Sequence, residues 1–267
     1  MIVLIAFALA PTAYAAPDAT IVNQPILTNT TWTKAGSPYQ VSNFVYVKSG
    51  VTLTVEPGVE VVFNQNAAFS LQGTLAALGT AAEPILFTGA VKTPGSWSGL
   101  NVNSAMGTEA PATLNLNYVT VEYGGLPNRP TGGNVEIGRA VADIHNSIFR
   151  FGGSQGVTAA SNTTLTIADS TFVNNGEHAL VLTNIGTLHP TLANLTASGN
   201  GISNAVIFRS THLEGEHTFV KMGLPYIFED GMDVEETGHM RLTPGLEIQV
   251  DTGFYVDGVL TALGTAA

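Results

Sequence analysis

The sequence predicts an all-β solenoid, a single continuous stack of short strands, and three observations carry that expectation. Apolar residues make up 45% of the chain and charged residues 11%, with 29 Gly and 13 Pro among many Val, Thr and Asn. That is the composition of turns and short strands rather than of helices. The chain also repeats itself. The stretch "TKAGSPYQVSNFVYVKSGVTLTVEPGVEVVF" (33–63) lies without a gap over "VKMGLPYIFEDGMDVEETGHMRLTPGLEIQV" (220–250), so that Lys34, Pro38, Tyr39, Gly58 and Glu60 meet Lys221, Pro225, Tyr226, Gly245 and Glu247. A shorter, irregular period runs inside the unit, through "LNYVTVEYGG" (116–125), "IHNSIFRFGG" (144–153), "IADSTFVNNG" (167–176) and "LANLTASGNG" (192–201). Irregular spacing suits a coil of strands joined by turns of variable length, in which each coil buries its apolar face against the next.

Taken in order, residues 1–15, "MIVLIAFALAPTAYA", join an apolar run to Ala13 and Ala15 in an A-x-A arrangement, the pattern of a secretory signal peptide, although the basic start of such a peptide is missing. Residues 16–29 form a lead-in. Residues 30–216 form the first repeat unit, and 217–267 the opening of a second, truncated one. The closing phrase "GVLTALGTAA" (258–267) repeats "GTLAALGTAA" (73–82), and the counterpart of "EPILFTG" (83–89) does not follow. An uncapped last rung predicts end-to-end self-association.

Within the units the strands show period-two alternation. In "VEPGVEVVF" Val59, Val61 and Phe63 point inward, Glu60 and Val62 outward, and Pro57-Gly58 supplies the turn. The second copy places Leu246, Ile248 and Val250 inside with Glu247 and Gln249 outside, which predicts that the strands stack copy on copy. In the four aligned blocks the fifth column (Thr120, Ile148, Thr171, Thr196) is mostly polar and the sixth (Val121, Phe149, Phe172, Ala197) apolar. The third column, Tyr118, Asn146, Asp169 and Asn194, reads as a turn ladder satisfying backbone groups.

The ordered phrases "SGVTLTVEPGVEVVF", "LQGTLAALGTAAEPILFTG", "GSWSGL", "VTVEYGG" and "STFVNNGEHAL" resemble the right-handed parallel β-helix repeat proteins that bacteria secrete or display. The resemblance covers nearly the whole chain after residue 15. It implies a pectate-lyase-like β-helix fold, and not pectate lyase activity, because this scaffold carries lyases, hydrolases, adhesins and plain stalks.

Function is therefore sought in sites. A net charge of −11 argues against nucleic acid or anionic lipid as a partner, and the absence of Cys excludes disulfides, thiolate catalysis and Cys-ligated metal. No segment after the first fifteen residues is apolar for long enough to span a membrane as a helix. The best catalytic cluster is Glu122, Asp143, His145, Arg150 and Asp169. In register, however, Glu122 and Arg150 read as an exposed cross-strand ion pair, and Asp169 belongs to the turn ladder. In "HLEGEH" His212, Glu214 and Glu216 would share one face of a strand, which offers too few fixed ligands for a metal site. "EDGMDVEE" (229–236) lacks the ligand spacing of an EF-hand, and its first-unit counterpart has no carboxylate. The Thr column resembles an ice-binding rank only until Ile148 interrupts it, and cross-strand Thr packing explains it as well.

No catalytic, cofactor or metal residues are assigned, and no cofactor is implied. The expected function is a secreted or cell-surface β-helix module with a structural or adhesive role. Tyr123 and Trp97 are its candidate contacts to carbohydrate, Trp97 equally a cap on the core. Its expected partners are a polysaccharide or another surface protein. The alternative is a carbohydrate-active enzyme on the same scaffold.

Overall fold

A computed structural model describes residues 18–104, 110–127, 129, 132–160, 162–184 and 190–265. Residues 1–15, read as a signal peptide, lie outside this set. Every strand pair within it is parallel, and the chain winds as a solenoid whose successive strands fall on three faces in turn. The first face runs from Thr20–Val22 through Tyr39–Val41, Glu60–Phe63, Ile85–Gly89 and Val119–Glu122 to Thr196–Ser198. The second runs from Phe44–Val47 to Ile248–Val250, and the third from Thr30–Trp32 to Thr191–Ala193. A fourth sheet, built on Thr211–Phe219 and Met232–Leu242, closes the C-terminal turns. The one helical element among the described residues is a 3-10 turn, Lys34–Gly36.

The alternation seen in the sequence positions the core. Register pairs Val61 with Phe87, Phe87 with Val121, Val121 with Phe149 and Phe149 with Phe172, each of them fully buried. Each buried Phe contributes about 1.5–3 kcal/mol by leaving water. The Phe149 and Phe172 rings stack at 5.4 Å between centroids, while Phe63 stacks on Trp97 at 3.8 Å. Trp97 is thus a core residue, and its Nε1 donates to the Glu122 carbonyl at 3.0 Å. Outward on the same face, the Thr171 and Thr196 hydroxyls meet at 2.8 Å while Ile148 stays exposed.

Both corners of the first face are set by residues in the left-handed region. The third-column residues Tyr118, Asn146, Asp169 and Asn194 have φ between 48° and 52°. Asn and Asp tolerate this conformation best, because their short side chains bond locally. The ladder expected there forms only in part. Asn194 Nδ2 donates to Asp169 Oδ1 at 2.9 Å, but Asn146 turns to Asn117 Oδ1 instead.

A more continuous ladder lies at the other corner, inside the coil. Asn134, Asn175, Asn200 and Asn204 form a chain in which each Nδ2 donates to the next Oδ1, at 3.0, 2.9 and 2.7 Å. The first three also satisfy backbone groups: Asn134 and Asn175 accept from Gly124 and Gly152 N–H, and Asn175 and Asn200 donate to the Phe149 and Phe172 carbonyls. Asn175 and Asn200 occupy the ninth column of the aligned blocks. Where that column holds Gly124 and Gly152, a Cβ would come within 3.1 and 2.7 Å of the Asn134 amide. Glycine there leaves the room that Asn134 fills.

The two repeated stretches adopt matching strands. Tyr39 pairs with Val61 and its counterpart Tyr226 with Ile248; Val45 pairs with Phe69 and its counterpart Met232 with Phe254. They do not, however, stack on one another as the sequence suggests. Tyr39–Val41 lies in the first face, whereas Tyr226–Phe228 stacks on Ser203–Arg209 in the second. The second unit therefore enters the coil one face further round.

Candidate functional site

The cluster richest in chemistry sits where the first face ends. Thr88, Glu122 and Arg150 occupy the last or next-to-last positions of three successive strands, with Glu122 in register with Arg150. They follow the inward residues Phe87, Val121 and Phe149, so alternation turns them outward. Lys92, four residues after Thr88, reaches back over them and donates to the Thr88 hydroxyl at 2.5 Å.

Outward does not mean exposed here, and the expected surface ion pair is corrected accordingly. The Glu122 side chain is 6% exposed, against 40% for Arg150 and 52% for Lys92. Its Oε2 accepts from Arg150 Nε at 2.7 Å, and its Oε1 accepts from Thr88 Oγ1 at 2.8 Å with Lys92 Nζ at 3.7 Å. Strand register alone predicts the pairing, but the burial comes from the Lys92 segment folding over the strand end. A carboxylate with both oxygens engaged holds three segments of chain together; it is not poised to take a proton from a substrate.

The solvent side of the cluster is cationic and aromatic. Tyr123 and Phe151 follow Glu122 and Arg150 at φ values of 61° and 52°, and their rings stack at 5.4 Å with an interplanar angle of 16°. Lys92 Nζ lies 5.4 Å from the Tyr123 ring, and the Arg150 guanidinium 5.5 Å from Phe151. Two half-buried rings flanked by two solvent-facing cations offer an apolar plate and charge for an anion.

The remaining members of the sequence cluster lie elsewhere. Asp143 and His145 form their own exposed pair at 2.9 Å on the third face, and Asp169 is held by Asn194 at the first corner. The "HLEGEH" residues are also separated: His212 meets Asp233 and Glu235 on the neighbouring strand at 3.2 and 3.1 Å, while Glu216 meets His239 at 2.9 Å. The ligand atoms of His212, Asp233 and Glu235 lie within 4.8 Å of one another. All three side chains are at least 40% exposed.

A network unmarked in the sequence surrounds His178, whose side chain is 3% exposed. Its Nε2 faces Glu229 Oε1 at 3.4 Å and Arg209 Nη2 at 3.3 Å, and Arg209 Nε donates to Glu229 Oε2 at 2.7 Å. Burial pushes this imidazole below its ordinary value; Glu229 opposes the shift and Arg209 adds to it.

Comparison with protein families finds a match over part of the chain: residues 25–140 fit the model described as a pectate-lyase like beta helix domain. Searches of curated proteins and of solved structures found no match. The family match and the parallel solenoid agree with the resemblance read from the sequence, that of a carbohydrate-related or structural β-helix module.

Proposed function

We propose that this chain is a secreted or surface-displayed β-helix module with a structural and adhesive role, making weak contact with polysaccharide or another surface protein. One observation carries the reading: the carboxylate of the best cluster, Glu122, is buried and fully engaged, while the groups facing solvent are Lys92, Arg150 and the Tyr123–Phe151 stack. Such a patch binds; among the described residues Glu122 is engaged by Thr88, Arg150 and Lys92, and no second carboxylate joins that network. The apolar residues 1–15 with their A-x-A ending support export.

Titration with an acidic oligosaccharide followed by calorimetry tests the binding. The expected Kd is on the order of 1 mM, with binding lost in a Tyr123→Ala, Phe151→Ala double variant that still folds. The second reading, a polysaccharide lyase, draws on the two solvent-facing cations. Incubation with uronate-containing polysaccharides separates the two: a rise in absorbance from new unsaturated ends, abolished by Arg150→Met, would replace the adhesive reading with catalysis.

A further inference from the structure

The fourth sheet carries a side-chain cluster that lies apart from the Lys92–Arg150 patch and that the adhesive role does not use. Its strands Thr211–Phe219 and Met232–Leu242 pair in parallel, with His212 in register with Asp233 and Leu213 with Val234. Leu213, Met232 and Val234 are buried beneath them. Alternation therefore turns His212, Asp233 and Glu235 to the same outer surface. Phe254–Val256 pairs with the far side of Met232–Leu242, placing Tyr255 beside Asp233, so both carboxylates sit on a strand that is paired on both sides.

The backbone that presents these groups is held from several sides. Leu213 pairs with Val234 but Gly215 with Gly238, so the second strand bulges and Glu235, Glu236 and Thr237 oppose Glu214 alone. A side chain at position 238 would collide with the Leu213 carbonyl, which fixes how closely the bulge approaches the first strand. The Val234 carbonyl accepts from Asp257 and Gly258 N–H at 2.9 and 3.1 Å, and the buried His217 donates from Nε2 to the Glu214 carbonyl at 2.9 Å. The carboxylates thus project from a braced support.

The donor atoms are spaced for an ion. His212 Nδ1 lies 3.1 Å from Glu235 Oε1 and 3.2 Å from Asp233 Oδ2, and only the first contact has hydrogen-bond geometry. One ring nitrogen, with at most one proton to give, faces two carboxylate oxygens. Zinc bonds of about 2.0–2.2 Å set neighbouring donors of a tetrahedral shell about 3.3 Å apart, close to both separations. The ligand atoms of all three residues lie within 4.8 Å of one another, and rotation of the exposed carboxylates closes the remaining edge. Among the described residues no Lys or Arg forms an ion pair with Asp233 or Glu235. We propose that His212, Asp233 and Glu235 form a binding site for a divalent transition ion, with Zn²⁺ the best fit. An imidazole with only two carboxylates disfavours Ca²⁺ and Mg²⁺, which demand more oxygen donors. Three protein donors facing solvent leave the fourth position to water.

The test uses the full chain, purified without a histidine tag and stripped with a chelator. Calorimetric titration with Zn²⁺ is expected to show one saturable site per chain. Titration with Co²⁺ is expected to give the visible absorption of a tetrahedral complex, which added Zn²⁺ removes. His212→Ala, and separately the double variant Asp233→Asn, Glu235→Gln, each weakens Zn²⁺ binding about tenfold or more. His145→Ala, at the exposed pair with Asp143, leaves it unchanged. Because the substituted side chains are exposed, urea unfolding of every variant is expected to match the parent. Absence of saturable Zn²⁺ binding, binding indifferent to His212→Ala, or Ca²⁺ held more tightly than Zn²⁺ would each overturn the proposal, the last two by showing a diffuse acidic surface in place of a site.

Discussion

Arg150→Met tests the buried carboxylate most directly. The substitution removes the 2.7 Å bond from Arg150 Nε to Glu122 Oε2 and leaves Thr88 at 2.8 Å and Lys92 at 3.7 Å on the other oxygen. A hydrogen bond to a charged group contributes roughly 1.5–3 kcal/mol, and stripping one partner from a fully buried pair costs roughly 3–5 kcal/mol. Arg150 is 40% exposed and Lys92 remains, so the expected loss lies near the bottom of these ranges, about 2 kcal/mol. Lys92→Met, at a longer distance and 52% exposed, costs about 0.5 kcal/mol or less. The double variant Glu122→Leu, Arg150→Met leaves no buried charge and returns to within about 1 kcal/mol of the parent. Urea unfolding gives these values, with the slope checked in each variant because a solenoid can lose turns separately. A loss below about 0.5 kcal/mol for Arg150→Met, or a double variant worse than either single one, would show that the carboxylate is solvated and the reasoning wrong.

Four further outcomes are expected. Asn175→Ala breaks bonds to Gly152, Phe149, Asn134 and Asn200 in the interior and costs about 2–4 kcal/mol in urea unfolding, whereas Asn194→Ala at the exposed corner costs under about 1 kcal/mol. His178 binds its proton less readily folded than unfolded, so its contribution to stability is present above about pH 6.5 and is lost as pH falls through its depressed folded value. His178→Leu should flatten that part of the pH profile, and an unchanged slope would assign it to other groups. Tyr226, its phenol pushed to about 12 by burial against the opposing effect of its bond to Val220, donates to that carbonyl at 2.7 Å. Its counterpart Tyr39 accepts from Thr33 N–H at 2.8 Å, and Phe at either position costs about 1 kcal/mol in urea unfolding. Finally, with Tyr255 and Leu263 67% and 68% exposed, the 267-residue chain self-associates with rising concentration in sedimentation, and Leu260→Lys reduces this.

The parts of this molecule that were legible in the sequence are those that period two controls. Val61, Phe149 and Phe172 face inward because a strand offers each side chain only two directions, and each coil repeats the choice. What alternation does not encode is which outward side chain another segment covers. Glu122 looks like a surface residue until Lys92 folds over it, and nothing in "VTVEYGG" signals that cover. The inner Asn ladder escaped for a related reason. Two of its rungs share the ninth column, but the rung serving Gly124 is supplied by Asn134, from a strand outside the aligned blocks. The pairing of Asn175 with Asn200 in that column was the available signal. His212 found carboxylate partners on the next strand because cross-strand neighbours approach as closely as residues two apart on one strand, and a single-strand reading sees only the latter.

The one-face offset between the two repeated stretches amounts to a screw operation, in which the sequence period is not a whole number of windings. Residues equivalent by sequence therefore point to different azimuths about the long axis. Lys34 and Lys221 mark the same corner of the repeat, yet the strands they introduce lie on different sides of the rod. A straight ligand lying along one side cannot read both copies of a motif, whereas one that winds around the rod can. Neighbouring copies of one sequence thus need not compete for the same lateral contact.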